Sequence, residues 1–203
     1  MAYSGTGTVI NLYPLSHFTF GTKDALKERD SSVEARMERH KARFEEQGMR
    51  RVVEGVALVH EHGHPHVLLL TVMGGRAFRL PGGRLRPGEE EVAGMRRKLQ
   101  RKVGNDKVAA GATWEVDSEP LGRLWRPGWD CNVYPYVPAH SNRPKECRTL
   151  FLCPINERTN FAIPRGLDLK AVSLYELHGN EARYGPVLAS LPTLLSRYTF
   201  NCL

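Results

Sequence analysis

The segment Gly82–Gly104, G-G-R-L-R-P-G-E-E-E-V-A-G-M-R-R-K-L-Q-R-K-V-G, most constrains what this chain can fold into. Val92, Met95, Leu99 and Val103 recur at helical spacing, so Glu89–Val103 reads as a helix with one apolar face. Pro81-Gly82-Gly83 breaks the strand before it, and Gly104 closes it. Acids crowd the start (Glu89, Glu90, Glu91) and bases the end (Arg101, Lys102), a polarity that complements the helix macrodipole. A helix with one apolar face needs a second layer to bury it.

The surrounding text supplies that layer. Val52–Glu61 and Val67–Val72 read as strands, joined across V-H-E-H-G-H-P-H, where Gly63 and Pro65 predict a turn. Met73–Arg76 is a second turn and Ala77–Leu80 a short strand. Later strands are expected at Trp114–Val116, Leu121–Trp125, Tyr134–Val137, Thr149–Ile155 and Leu169–Glu176, with loops at Pro127–Asp130 and Pro138–Lys145. A helix runs from about Ser32 to Gln47, opened by a capping box from Ser31 to Glu34 and stopped by Gly48, with Val33, Met37 and Phe44 at helical spacing. A final helix is expected over Gly185–Phe200, kinked or split into two short segments at Pro192. These elements predict an α/β fold: a mixed sheet with helices on either side, over residues 31–203. Residues 1–30, in which Asn11–Gly21 interleaves aromatic and polar residues, read as an extended N-terminal arm packing on the domain.

At 203 residues, 41% hydrophobic and 25% charged, the chain suits one globular domain. Its longest apolar run, around Val67–Val72, is far too short to span a bilayer, and the first residues lack the pattern of a signal peptide. No membrane association is expected. Cys131, Cys147, Cys153 and Cys202 form no C-x-x-C pair and read as thiols in a reducing compartment. The alternating His60, His62, His64 and His66 could share a strand face as metal ligands, but the turn residues among them favour a hairpin. The net charge of +7 admits an anionic partner without specifying one.

The frame of the opening segment resembles the Nudix box, G-x5-E-x7-R-E-U-x-E-E-x-G-U. Gly83, Glu89, Arg97, Leu99 and Gly104 stand in register with it. The resemblance implies a Nudix-like α/β/α sandwich with a mixed sheet and an N-terminal extension. Nudix hydrolases use clustered glutamates on this helix to hold Mg²⁺ against a diphosphate. At the three glutamate positions of R-E-U-x-E-E this chain has Lys98, Arg101 and Lys102, each a reversal of charge. Cationic groups cannot ligate Mg²⁺ and would repel it. No metal site, no cofactor and no hydrolase activity are therefore expected.

The wider text, from about Val9 to Phe200, resembles one family. N-L-Y-P-L-S-H-F-T-F-G-T-K, D-S-S-V-E-A-R, G-M-R-R-V-V-E-G-V, L-P-G-G, W-R-P, Y-P-Y-V-P-A-H and Y-G-P-V-L-A-S-L-P-T-L-L-S-R are similar to the small subunit of cleavage factor I, also called cleavage and polyadenylation specificity factor subunit 5. The family's N-terminal extension is shorter here. The resemblance implies a nuclear homodimer that binds single-stranded pre-mRNA upstream of the poly(A) site, reading U-G-U-A. It also implies a larger RRM-containing partner subunit and contact with other polyadenylation factors.

By resemblance, Glu28 and Arg36 match residues that contact bases: a carboxylate accepts from base edges, and a guanidinium donates in a fixed fork. Glu54, in the apolar V-V-E-G-V, matches a base-reading glutamate; the alternative is a structural ion pair with a nearby arginine. Phe78 and Leu80 match positions beside the RNA, and Tyr184 and Gly185, in R-Y-G-P, match a side-chain and backbone contact. One departure matters. The family has two aromatics before the basic residue and L-P-G-G, whereas here Ala77 precedes Phe78, and alanine cannot stack. Weakened RNA reading is therefore expected unless Phe78 or Arg76 substitutes. The chain could instead be a protein-binding scaffold that keeps the fold.

Overall fold

Strand β3 (Arg50–Val56) is the spine of the molecule. The computed structural model describes residues 8–27, 30–72, 75, 77–105, 114–130, 132–139 and 141–203. β3 runs parallel to β9 (Glu146–Leu152) and antiparallel to β7 (Gly82–Arg84), while β8 (Pro120–Arg126) pairs antiparallel with the far edge of β9. After Ala57 the same chain continues as β4 (Leu58–Glu61), in a second sheet with β5 (His64–Val72), β11 (Leu167–Ser173) and the short β6 (Phe78–Arg79). The expected single strand Val52–Glu61 is thus two. An unbroken apolar run conceals the crossover, because residues buried on both faces carry no periodicity.

Alternate strand residues feed two cores. Val53, Val59, Leu68, Leu70 and Phe151 pack against α2 (Glu91–Val103) through Met95, Leu99 and Val103. Val56, Leu58, Leu69, Leu150 and Leu152 pack on the opposite side. There α3 (Leu174–Leu177), α4 (Glu181–Tyr184), α5 (Pro186–Ala189) and α6 (Leu191–Leu195) supply Leu177, Tyr184, Leu188, Leu191 and Leu195. This is the α/β/α sandwich that the sequence predicts. No helix among the described residues is long and apolar enough to cross a membrane.

The first and last stretches pair with distant partners. β1 (Val9–Leu12) lies parallel to β12 (Thr199–Cys202), and β2 (Phe20–Lys23) lies parallel to β10 (Phe161–Pro164). The expected last helix therefore ends at Leu195 and gives way to a strand that takes in Thr199 and Phe200. Of the two readings of Pro192, the split is the one found: α5 and α6 are separate short helices, with Pro192 in the first turn of the second.

α1 (Val33–Gln47) is capped by Ser32, not Ser31. The Ser32 hydroxyl accepts from the Ala35 amide at 3.1 Å, so the expected Ser31–Glu34 box is displaced by one residue. Phe44 is its one buried residue, and Val33 lies exposed. The hairpin turns at His62-Gly63, both with positive φ, and Pro65 already belongs to β5, opposite His60. The Thr149–Ile155 strand begins earlier, at Glu146. Leu169–Glu176 ends as a strand at Ser173, whose hydroxyl caps α3. Trp114–Val116 and Tyr134–Val137 are not strands. Trp114 is buried by side-chain contacts, its indole donating to Gln100 at 3.0 Å, and Tyr134 makes a lone bridge to Trp125.

Candidate nucleic-acid interface

The Gly82–Gly104 unit keeps its loop–helix frame. α2 starts at Glu91, two residues later than expected, because Glu90 accepts from the Val92 and Ala93 amides and caps it. Glu89 therefore lies in the loop and folds back. Arg97 donates to both its carboxylate oxygens at 2.6 Å, and the Arg86 amide donates to one of them at 2.7 Å. The arginine bidentate bond, first among these, pulls the Glu89 carboxyl down to about 2.

A group with a depressed folded pKa contributes stability above its ordinary value near 4.5, lost as pH falls through about 2. Glu89→Gln is therefore expected to cost about 2 kcal/mol at neutral pH and almost nothing near the acid limit, a difference that urea titrations across pH would read. Equal loss at every pH would contradict the pairing.

On the same helix, burial pushes the Lys98 ammonium down to about 8, aided by Arg97, Arg101 and Lys102. A Cβ on Gly83 would sit 3.4 Å from its Nζ, so this cation occupies the position that faces the glycine loop. Lys102 is likewise depressed by burial, then by Arg101 and Arg79. The place where the box would hold a divalent cation is lined by cations. Among the described residues, no group of three or more His, Cys, Asp or Glu could hold a metal ion.

The positions matched to RNA contacts fall on a different part of the molecule. Glu54 projects from β3, its side chain 14% exposed, with Arg148 Nη1 3.4 Å from its carboxylate. Burial raises its pKa, an effect Arg148 opposes. Glu54 lies opposite Gly82 of the L-P-G-G turn. Phe78 packs against Tyr184 with ring centroids 4.9 Å apart, half-buried. The Tyr184 hydroxyl donates to Glu176 at 2.5 Å, and burial, then Glu176, pushes it up to about 12. Leu80 is buried in the same core as Tyr184. Gly185 has φ of 80°, a conformation suited to glycine, where it ends α4 and opens α5.

Arg36 is half-exposed on α1, 4.0 Å from Asp30, which Arg39 holds in a bidentate pair at 2.6 and 2.7 Å. One turn on, His40 bonds to Arg50, and Arg50 shares a strand face with Glu54. Phe78, Leu80, Tyr184 and Gly185 thus lie on one side of the fold, with Gly82 linking Leu80 to Glu54, while Arg36 has Asp30 as its partner on its own side of α1. Glu28 and Arg76 lie outside the described residues.

Sequence reasoning missed the arginines around Glu54. Glu146 lies 2.9 Å from Arg148, 3.2 Å from Arg50 and 3.7 Å from Arg126. The alternating Glu146 and Arg148 are a period-two signal, hidden because the expected strand began at Thr149.

This fold and this altered box define the class. A family model described as a nucleotide hydrolase, of the Nudix type, matches residues 8–198. Within that class the likeness narrows. The chain is 46% identical over 195 residues to "Pre-mRNA cleavage factor Im 25 kDa subunit 2" of Arabidopsis thaliana, covering 96% of both chains. It is 42% identical to "Cleavage and polyadenylation specificity factor subunit 5" of Dictyostelium discoideum, covering 90% of each. The chain belongs to the family of cleavage factor Im 25 kDa subunits.

Proposed function

We propose that this chain is a non-catalytic, sequence-specific RNA-binding subunit of the pre-mRNA 3′-end cleavage and polyadenylation machinery, reading U-G-U-A upstream of the poly(A) site. The observation that carries this is the division of charge: Lys98, Arg101 and Lys102 stand where the box needs acids, while a buried carboxylate, Glu54, lies beside the L-P-G-G turn. The names of the relatives support the setting. In this reading Arg36 and Glu54 read base edges with Glu28, Phe78 and Tyr184 flank a base, and Leu80 and Gly185 offer backbone. The chain works in the nucleus as a homodimer with a larger RRM-containing subunit.

A specific observation favours weakened reading. Ala77 is exposed at the position where a stacking ring belongs, and Phe78 already spends one face on Tyr184. Titration of a U-G-U-A oligomer against a scrambled one, at two salt concentrations, tests the function and weighs the phosphate contribution. Discrimination that is lost on Arg36→Ala supports the site; equal binding of both oligomers sinks it in favour of a scaffold. In the same assay Ala77→Phe is expected to tighten binding roughly tenfold, since stacking is worth about 1–3 kcal/mol per base. Unchanged affinity would remove position 77 from the interface.

A further inference from the structure

α1 roofs a cleft of about 470 Å³, counting its open mouth. Its walls carry Arg43 from α1, Arg50, Arg84 and Arg126 from three neighbouring strands, and Lys145, against one acid, Glu146. His40 adds no charge, because burial, then Arg50 and Arg39, pushes it down to about 4. Glu146 has two oxygens and must also serve Arg148.

Arg84 is also held by Gln47, but two other guanidinium groups keep an unmade donor. The Nε atoms of Arg50 and Arg126 are buried and have no hydrogen-bond partner, although Arg50 Nε comes within 3.2 Å of Glu146. Buried donors left unmade are destabilising, and like charges in a shielded cleft repel. Burial and the neighbouring Arg148, Arg84 and Arg126 all disfavour the charged form of Arg50. A small anion with several acceptor oxygens would relieve both penalties. Arginine forks match the tetrahedral oxygens of phosphate.

We propose that this cleft binds a phosphate group. The ligand is the phosphate, because the cleft's cations outnumber its acids and the Phe44 ring is covered. Phe44 is 4% exposed, with Trp129 edge-on at 5.8 Å and the Lys145 ammonium 3.8 Å above its ring. A free phosphate and the phosphodiester of a bound RNA present the same chemistry, and Arg148 links this cleft, through Glu146, to Glu54.

Calorimetric titration of the full chain with inorganic pyrophosphate, at fixed ionic strength, tests this without relying on RNA reading. Saturable binding is expected, weakened about fivefold by Arg43→Ala, which trims an α1 side chain at the rim, and tightened by Glu146→Gln, which removes the competing carboxylate. Should Glu146→Gln fail to fold, the Arg43→Ala result decides. Displacement of pyrophosphate by an extended oligoribonucleotide would assign the phosphate to RNA, and binding indifferent to the oligomer would assign it to a free anion. No saturable binding, or binding lost on Lys98→Ala and untouched by Arg43→Ala, would overturn the proposal.

Discussion

Arg148→Ala is expected to destabilise the fold by about 3 kcal/mol at mildly alkaline pH and by clearly less near pH 5. The Arg148 and Glu54 side chains are only 22% and 14% exposed, so removing the guanidinium strands a carboxylate inside the sheet face. Glu146 loses its 2.9 Å donor at the same time. Both burial and Glu146 already raise the Glu54 pKa, and Arg148 is the largest influence against them. Without it the carboxyl is held further above its ordinary value, with Arg50 and Arg126 left as the weaker opposing charges. A group whose folded pKa lies above its unfolded value takes up a proton on folding. Its contribution is greatest below the unfolded value and is lost as pH rises through the folded one. Denaturant titrations at the two pH values would read the difference. Adding Glu54→Gln should recover much of the loss at high pH, since the stranded charge is then gone. An equal penalty at both pH values would show that Arg148 matters for packing alone.

Gly82→Ala should cost at least about 3 kcal/mol and lower Tm by about 10 °C. A Cβ here would overlap the Val53 carbonyl oxygen and come within 2.8 Å of Glu54 Cα. Both are backbone atoms of β3 and cannot rotate away, so the Gly82–Glu54 register must open. Because the Glu54 Cγ is also only 3.0 Å away, the carboxylate moves with the strand. The variant should therefore lose discrimination between U-G-U-A and scrambled RNA even at temperatures where it stays folded. Scanning calorimetry paired with the oligomer titration checks both halves. An unshifted Tm would contradict the β3–β7 pairing.

What could be read from sequence depended on whether the signal was local. α2 was legible because Met95, Leu99 and Val103 recur at helical spacing and all three are buried. Its loop was legible through Gly83, Glu89 and Arg97, whose spacing brings a carboxylate back to a guanidinium eight residues on. The pairings of β1 with β12 and β2 with β10 had no local signature, since each strand is specified by a partner far along the chain. Trp114 misled for a related reason. Its apolar neighbourhood marks burial, and burial here comes from a ring packed on Phe161 and not from a ladder. In the candidate site, Glu54 stood out as a charge in an apolar strand. That it pairs with Arg148 emerges only when β3 and β9 lie side by side. The resemblance supplied Arg36, Phe78, Leu80, Tyr184 and Gly185. Nothing in their spacing alone sets them beside one RNA strand.

The β1–β12 ladder has a consequence for how the molecule is made. Val9 faces Thr199, so β1 waits for a strand made 190 residues after it. Until then β1 presents open backbone donors and acceptors beside buried Ile10 and Leu12 positions, the kind of edge that invites stray pairing. Closing so long a loop is entropically slow to pay back. The chain can assemble its two cores and still carry an unzipped seam, which seals only when β12 has reached β1.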